Sequence, residues 1–281
     1  MHSPLEIARN YVEVGIHKTH LSAFKMVILG IFAGMFIAFA GVASTVASST
    51  ITTASGAKLV SAIVFPAGMA MVLIAGSELF TGNTLIILAA LEKKVTVSKM
   101  LKNWFFVFVG NFIGAAFVAW MVVYGGIPEL FDGEVADAMI KAAASRTALG
   151  MGEAFIRGIL CNILVCIAIW MSFASKSVSG KLLTSFWPVM IFVLCGFEHS
   201  IADVYYGFTG MLTAAKYDMA VEGLTWFNFL IRSLLPVTLG NIVGGAGVVG
   251  FGYWLMFLHQ TPYAHSSVEA EQEEIDIAEE Y

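Results

Sequence analysis

The sequence predicts an all-α membrane protein of six transmembrane helices, arranged as a 3+3 inverted repeat with the second and fifth helices interrupted. Three observations carry this. Hydrophobic residues make up 58% of the 281 and charged residues 12%, with a mean hydropathy of +0.82; soluble domains carry about 25% charge. Two long apolar blocks hold short polar islands that both open Gly-x-Glu: Gly76-Ser77-Glu78-Leu79-Phe80-Thr81-Gly82-Asn83 and Gly196-Phe197-Glu198-His199-Ser200-Ile201-Ala202-Asp203. The third and sixth blocks also match, as Gly110-Asn111-Phe112-Ile113-Gly114-Ala115 and Gly240-Asn241-Ile242-Val243-Gly244-Gly245. Three spans followed by three similar spans run in opposite senses, because three is odd. The repeat is therefore inverted.

Taken in order, residues 1–25 form an amphipathic amino-terminal segment. Ser3 and Glu6 have capping-box spacing and Pro4 takes the first helical position. Such a helix either lies at the membrane surface or packs under the bundle. The first apolar run begins only near Met26, after this polar helix, so no cleavable leader is expected. Residues 26–258 form the channel domain, with spans near 26–47, 59–91, 103–124, 154–173, 185–213 and 228–257. A straight span needs about 20 residues, so 59–91 and 185–213 read as paired half-helices joined by irregular backbone. That backbone has to be shielded by protein or line a cavity. Residues 259–281 form an acidic tail without Lys or Arg after Pro262, expected to be disordered.

With the amino terminus inside, Arg9, Lys18, Lys25, Lys93, Lys94, Lys99, Lys102, Lys176 and Lys181 face the cytoplasm. Lys58, Lys141, Arg146, Arg157, Lys216 and Arg232 face outward. The bias puts both termini in the cytoplasm of a multi-pass protein of the cell (inner) membrane. No basic run points to nucleic acid. Cys161, Cys166 and Cys195 lie in apolar spans without metal-ligand spacing, so no metal or cofactor is expected.

Ionisable groups inside a membrane mark function by default. His199 is the sole histidine within a span. Imidazole exchanges protons near neutral pH, so it can protonate a weak-acid anion at a constriction or hold it in passing. A bare ion in hydrocarbon is far more costly than the neutral acid. Thr81 in the other island can donate to a carboxylate or orient the imidazole. Glu78 and Glu198 are read as carboxylates capping freed backbone N–H groups at the two breaks, with proton carriage as the other reading. Asn162, mid-span, either contacts substrate or ties helices together.

These islands, with Gly158-Ile159-Leu160-Cys161-Asn162-Ile163-Leu164-Val165-Cys166-Ile167-Ala168-Ile169-Trp170-Met171 and Pro236-Val237-Thr238-Leu239-Gly240-Asn241, resemble the formate/nitrite transporter family over about residues 4–258. The resemblance implies an aquaporin-like protomer in a homopentamer embedded in the lipid bilayer. Each protomer then passes a small monovalent anion, most favourably formate, otherwise nitrite or hydrosulfide, with or without protons. It matches the central histidine to His199, the pore threonine to Thr81 and the mid-pore asparagine to Asn162. It places hydrophobic constrictions at Phe65, Met69 and Phe192 on the cytoplasmic side and at Leu79, Phe80 and Val165 on the outer side. Two departures stand out. Arg146 replaces a vestibule lysine, keeping charge but not proton exchange. Asp203 replaces an asparagine, adding a carboxylate that slows anions, pairs with a cation or caps the half-helix.

Two other classes fit less well. A water pore would show two Asn-Pro-Ala caps, and an ammonia pore a pair of pore histidines; the chain has neither. A membrane enzyme would need clustered acids or histidines, and the sequence has none.

Overall fold

The computed structural model describes residues 1–259; the acidic tail expected after that lies outside the described residues. Helix α1 (Pro4–His20) begins with the capping box read from the sequence: the Ser3 hydroxyl accepts from the Glu6 N–H, and the Glu6 carboxylate from the Ser3 N–H at 2.6 Å. The hydrogen bond from the Ser3 backbone holds the Glu6 carboxyl below its usual range. Of the two placements open for this helix, packing against the bundle is the one observed. Its buried face (Ile7, Ala8, Tyr11, Val12) sits against α6 (Ile87–Leu91), α7 (Val97–Tyr124), α9 (Met151–Ala174) and α13 (Phe251–Phe257), which are introduced in place below.

Among the described residues, six helices are long and apolar enough to cross a membrane: α2 (Ala23–Ser48), the pair α3 and α4 (Ala54–Val64 and Pro66–Ala75), α7, α9, α10 (Val178–Cys195) and the run Asn228–Phe257. The last contains α12 (Leu235–Ile242) between two π-helical stretches and ends in α13. The second and fifth regions break as expected. After α4 the chain turns at Gly76, whose φ of 79° is left-handed, and resumes as α5 (Phe80–Asn83), a 3-10 turn and α6. After α10 it turns at Gly196, φ 70°, and resumes as α11 (Ser200–Lys216). Glycine suits both turns because a Cβ is strained at that φ. Between α7 and α9 lies a short helix outside the apolar spans, α8 (Glu134–Thr147).

The repeated Gly-Asn motif explains the closest packing. Helix α2 lies along α7, and α9 along α12. A Cβ on Gly114 would collide with the Ile31 carbonyl oxygen, and one on Gly244 with the Ile159 carbonyl oxygen. Small residues let membrane helices meet backbone to backbone. Gly114→Val should therefore force α2 and α7 apart. A loss of about 1–3 kcal/mol is expected, visible as a lower melting temperature in detergent; an unchanged melt would show that the contact is slack.

Candidate functional site: two vestibules and a central His–Thr pair

Both islands are held by the same device. The Asn111 side chain accepts from the Phe80 N–H and donates to the carbonyls of Gly30 and Glu78, all at 2.8 Å. Asn241 accepts from the Ser200 N–H at 3.0 Å and donates to the carbonyls of Gly158 and Glu198 at 2.8 and 3.1 Å. The asparagines of the repeat motif thus cap α5 and α11 and anchor each broken backbone to the neighbouring helix. This corrects the role expected of the two glutamates, whose carboxylates cap no backbone N–H. Glu78 accepts from Lys18 Nζ at 3.1 Å and from Asn83 Nδ2 at 2.7 Å. Glu198 lies 3.3 Å from Arg146 Nε. The physical reason is that an amide offers both donor and acceptor to a backbone break, whereas a buried carboxylate needs a cation.

Lys18, at the end of α1, was not singled out by the sequence. It also donates to Asn83 Oδ1 at 2.7 Å. The available signal was a lysine in the last turn of an amphipathic helix, too common to be diagnostic. Lys18→Met should leave the Glu78 carboxylate buried without its cation and destabilise by about 1–3 kcal/mol. Adding Glu78→Gln should recover most of that loss in a thermal melt. Failure of the second change to rescue would mean that the lysine stem, not its charge, matters.

His199 and Thr81 meet at the centre. The Thr81 hydroxyl lies 2.9 Å from His199 Nε2, and the Ala202 N–H donates to His199 Nδ1 at 3.1 Å. Nδ1 is therefore an acceptor, and the neutral imidazole carries its proton on Nε2. That proton points to Thr81 Oγ1, which frees the threonine's own proton for another acceptor. His199 is 3% exposed and Thr81 fully buried.

A cavity of about 600 Å³ opens on one side of this pair. Its wall includes Phe65, Phe192, His199, Lys58, Lys141 and Arg146. A second, of about 300 Å³, opens on the α1 side and is lined by Met69, Leu79, Gly82, Ile169, Lys18 and Lys181, among others. Phe65 and Phe192 meet edge to face at 5.9 Å, and Phe192 stacks on the His199 ring at 5.9 Å. These positions correct the expected sides. Phe65 and Phe192 face the vestibule of Arg146, whereas Met69, expected on their side, shares the α1 vestibule with Leu79. The segments before the breaks are 22 and 18 residues long, so Leu79 and Phe192, close to the breaks, lie far from the end at which each segment began; Phe65 lies mid-segment. Phe80 and Val165 line neither cavity. Phe80 packs edge-on against Trp104 and Phe108, and Val165 is 1% exposed in the core.

Asn162 also lines neither cavity. Its Nδ2 donates to the carbonyl of Asn241 at 2.6 Å, to that of Thr81 at 3.2 Å and to the Thr84 hydroxyl at 3.1 Å, so it ties three elements together. Arg146 is not a bare vestibule charge. Its Nε donates to Asp203 Oδ1 at 2.8 Å and its guanidinium lies over the Tyr206 ring at 4.1 Å. Asp203 is thus a partner of Arg146, and among the described residues the cationic side chains on this wall outside an ion pair are Lys58 and Lys141. Cys161 and Cys166 are buried, and Cys195 is exposed.

The family model for formate/nitrite transporters matches residues 5–255. The chain belongs to the formate/nitrite transporter family. Among relatives, the formate channel FocA of Haemophilus influenzae is 37% identical over 265 residues, covering 88% of this chain and 92% of that one. A probable formate transporter of Methanothermobacter thermautotrophicus is 34% identical, covering 92% and 98%. Among solved structures, a pentameric formate channel with formate bound matches at a TM-score of 0.75 and 31% identity, over 84% of this chain and 98% of that one. An FNT family ion channel matches at 0.81 and 26% identity, over 89% and 98%. This transporter-family chain is a multi-pass membrane protein of six apolar helices and not an enzyme.

Proposed function

We propose that this protein passes a small monovalent weak-acid anion, formate foremost, through a pore in each protomer of a homopentamer. The single observation that carries this is His199 on the wall of the larger vestibule, paired with the buried Thr81, with lysines on the walls of both vestibules. Relatives named as formate channels favour formate among the small anions. On this reading the pentamer sits in the cell membrane with both termini in the cytoplasm.

Lys58 and Lys141 raise the local concentration of anions at one mouth, as a cationic cleft does. Phe65 and Phe192 strip water from the ion, which strengthens every remaining polar contact. The Thr81 hydroxyl then donates to an anion oxygen while His199 Nε2–H polarises that hydroxyl. Proton transfer to the anion requires the imidazole first to take a second proton from solution; that proton lands on Nδ1 and displaces the Ala202 N–H, and the Nε2 proton then passes through the Thr81 hydroxyl to the anion, leaving a neutral imidazole. Charge relief and opening of the first turn of α11 are therefore linked.

The test is flux into liposomes holding the purified protein, with formate, nitrite and hydrosulfide compared across about pH 5 to 8. Formate flux above that of protein-free liposomes is expected. Osmotic water flux without anion flux would overturn the reading in favour of a neutral-solute pore.

A further inference from the structure

We propose that Glu198 and Asp203 together retain one proton against Arg146, forming a proton-binding site on the wall of the larger vestibule. The inference goes beyond the transport reading and stands on three side chains, whichever anion passes. Arg146 Nε contacts both carboxylates, at 2.8 Å for Asp203 and 3.3 Å for Glu198. One guanidinium carries one positive charge; the two ionised carboxylates would carry two negative ones. The side chains are little exposed, 18% for Arg146, 8% for Glu198 and 1% for Asp203. An uncompensated charge buried to that degree is neutralised by protonation. Two carboxyl groups sharing one site hold a proton in common for the same reason.

A further observation points to the same place. Asp203 Oδ2 is buried and has no hydrogen-bond partner, and Glu198 Oε2 has only its 3.3 Å ion contact with Arg146 Nε. Both carboxylates meet the same guanidinium. Two ionised carboxylates held that close repel, and one proton shared by the pair relieves the repulsion.

Among the described residues, the neighbours supply no second counter-charge at contact distance. Lys58 on α3 and Lys141 on α8 line the same vestibule but form no ion pair with either carboxylate. Arg157 on α9 pairs with Glu153. Glu134 and Asp137 on α8 add negative charge to the cavity. The remaining titratable groups there are Tyr206 and His199, with Tyr205 and Cys161 buried behind. Helices α2, α5 and α7 and the Asn228–Phe257 run carry no acidic residue, and their basic groups are Lys25, Lys99, Lys102 and Arg232. The Asp203 N–H donates to the His199 carbonyl at 2.8 Å, so the shared proton sits one helical turn from the imidazole, beside the anion's path.

Infrared spectroscopy of the reconstituted full chain tests this directly. At about pH 7, ordinary aspartate and glutamate are ionised. The wild type is expected to show the C=O absorption of a protonated carboxylic acid. Asp203→Asn and Glu198→Gln should each abolish it, since either leaves one carboxylate for one guanidinium. Arg146→Met should enlarge it, since both carboxyl groups then lack a cation. Absence of the absorption in the wild type, or its persistence in both carboxyl variants, overturns the proposal. Because Glu198→Gln and Arg146→Met act in opposite directions, the test survives failure of one variant to assemble. Formate flux is not the readout, so loss of the transport reading would not be mistaken for loss of this one.

Discussion

His199→Asn is expected to assemble and melt like the wild type, lower formate flux about tenfold or more, and flatten its dependence on pH. Asparagine is among the best N-cap residues, so its side-chain oxygen can take over the Ala202 N–H that His199 Nδ1 now accepts. What it cannot supply is a ring N–H at the Thr81 hydroxyl or a group that titrates. A hydrogen bond acting on a charged ligand is worth about 1.5–3 kcal/mol, and each 1.4 kcal/mol or so is a factor of ten. The sign of the pH effect follows from the imidazole. Its protonated fraction rises as pH falls. The histidine-dependent part of the flux therefore rises on acidification, and the variant loses that rise after subtraction of protein-free liposomes. Equal flux and equal pH slope in the two proteins would remove His199 from the mechanism.

Asn241→Ala is the second large effect expected, and it acts on structure first. The substitution leaves the Ser200 N–H and the Glu198 carbonyl without partners where no solvent reaches. Buried polar groups left unpaired cost about 1–3 kcal/mol each, so a loss of about 3 kcal/mol is expected. It should appear as a lower melting temperature and reduced recovery of the assembled protein. Flux per assembled protein should fall as well, because the same asparagine sets the start of α11 and hence the height of His199. Asn111→Ala should behave alike at the other break, where the Phe80 N–H and Glu78 carbonyl lose their partner. A thermal melt equal to the wild type for both variants would mean that the breaks are held by something other than these amides.

Several features were legible in the linear sequence because they depend on short spacings. The capping box of α1 needs only Ser3 and Glu6 three residues apart. The six apolar spans follow from hydropathy, since lipid tolerates few structures besides helices. The two breaks follow from spans too long to be straight that carry a Gly-x-Glu island. His199 stood out because an ionisable group in a membrane is costly unless it is used. The roles of Glu78 and Glu198 were less legible. A carboxylate near a helix start reads as a cap, and its real partners, Lys18 and Arg146, lie 60 and 52 positions away in the chain. Phe80 and Val165 read as gates because apolar residues near an island look alike from sequence, whether they face a cavity or a packed neighbour.

By itself, then, the chain's order of residues determined the helices, their breaks and the family, all of which rest on local composition and spacing. Only the tertiary structure decided which side chains neutralise one another, which aromatic rings face which vestibule, and that amides rather than carboxylates hold the breaks. The reason is that charge pairing and cavity lining depend on distances between helices remote in sequence. Those distances are fixed by close glycine contacts such as Gly114 on Ile31 and Gly244 on Ile159, where a single Cβ would change the spacing.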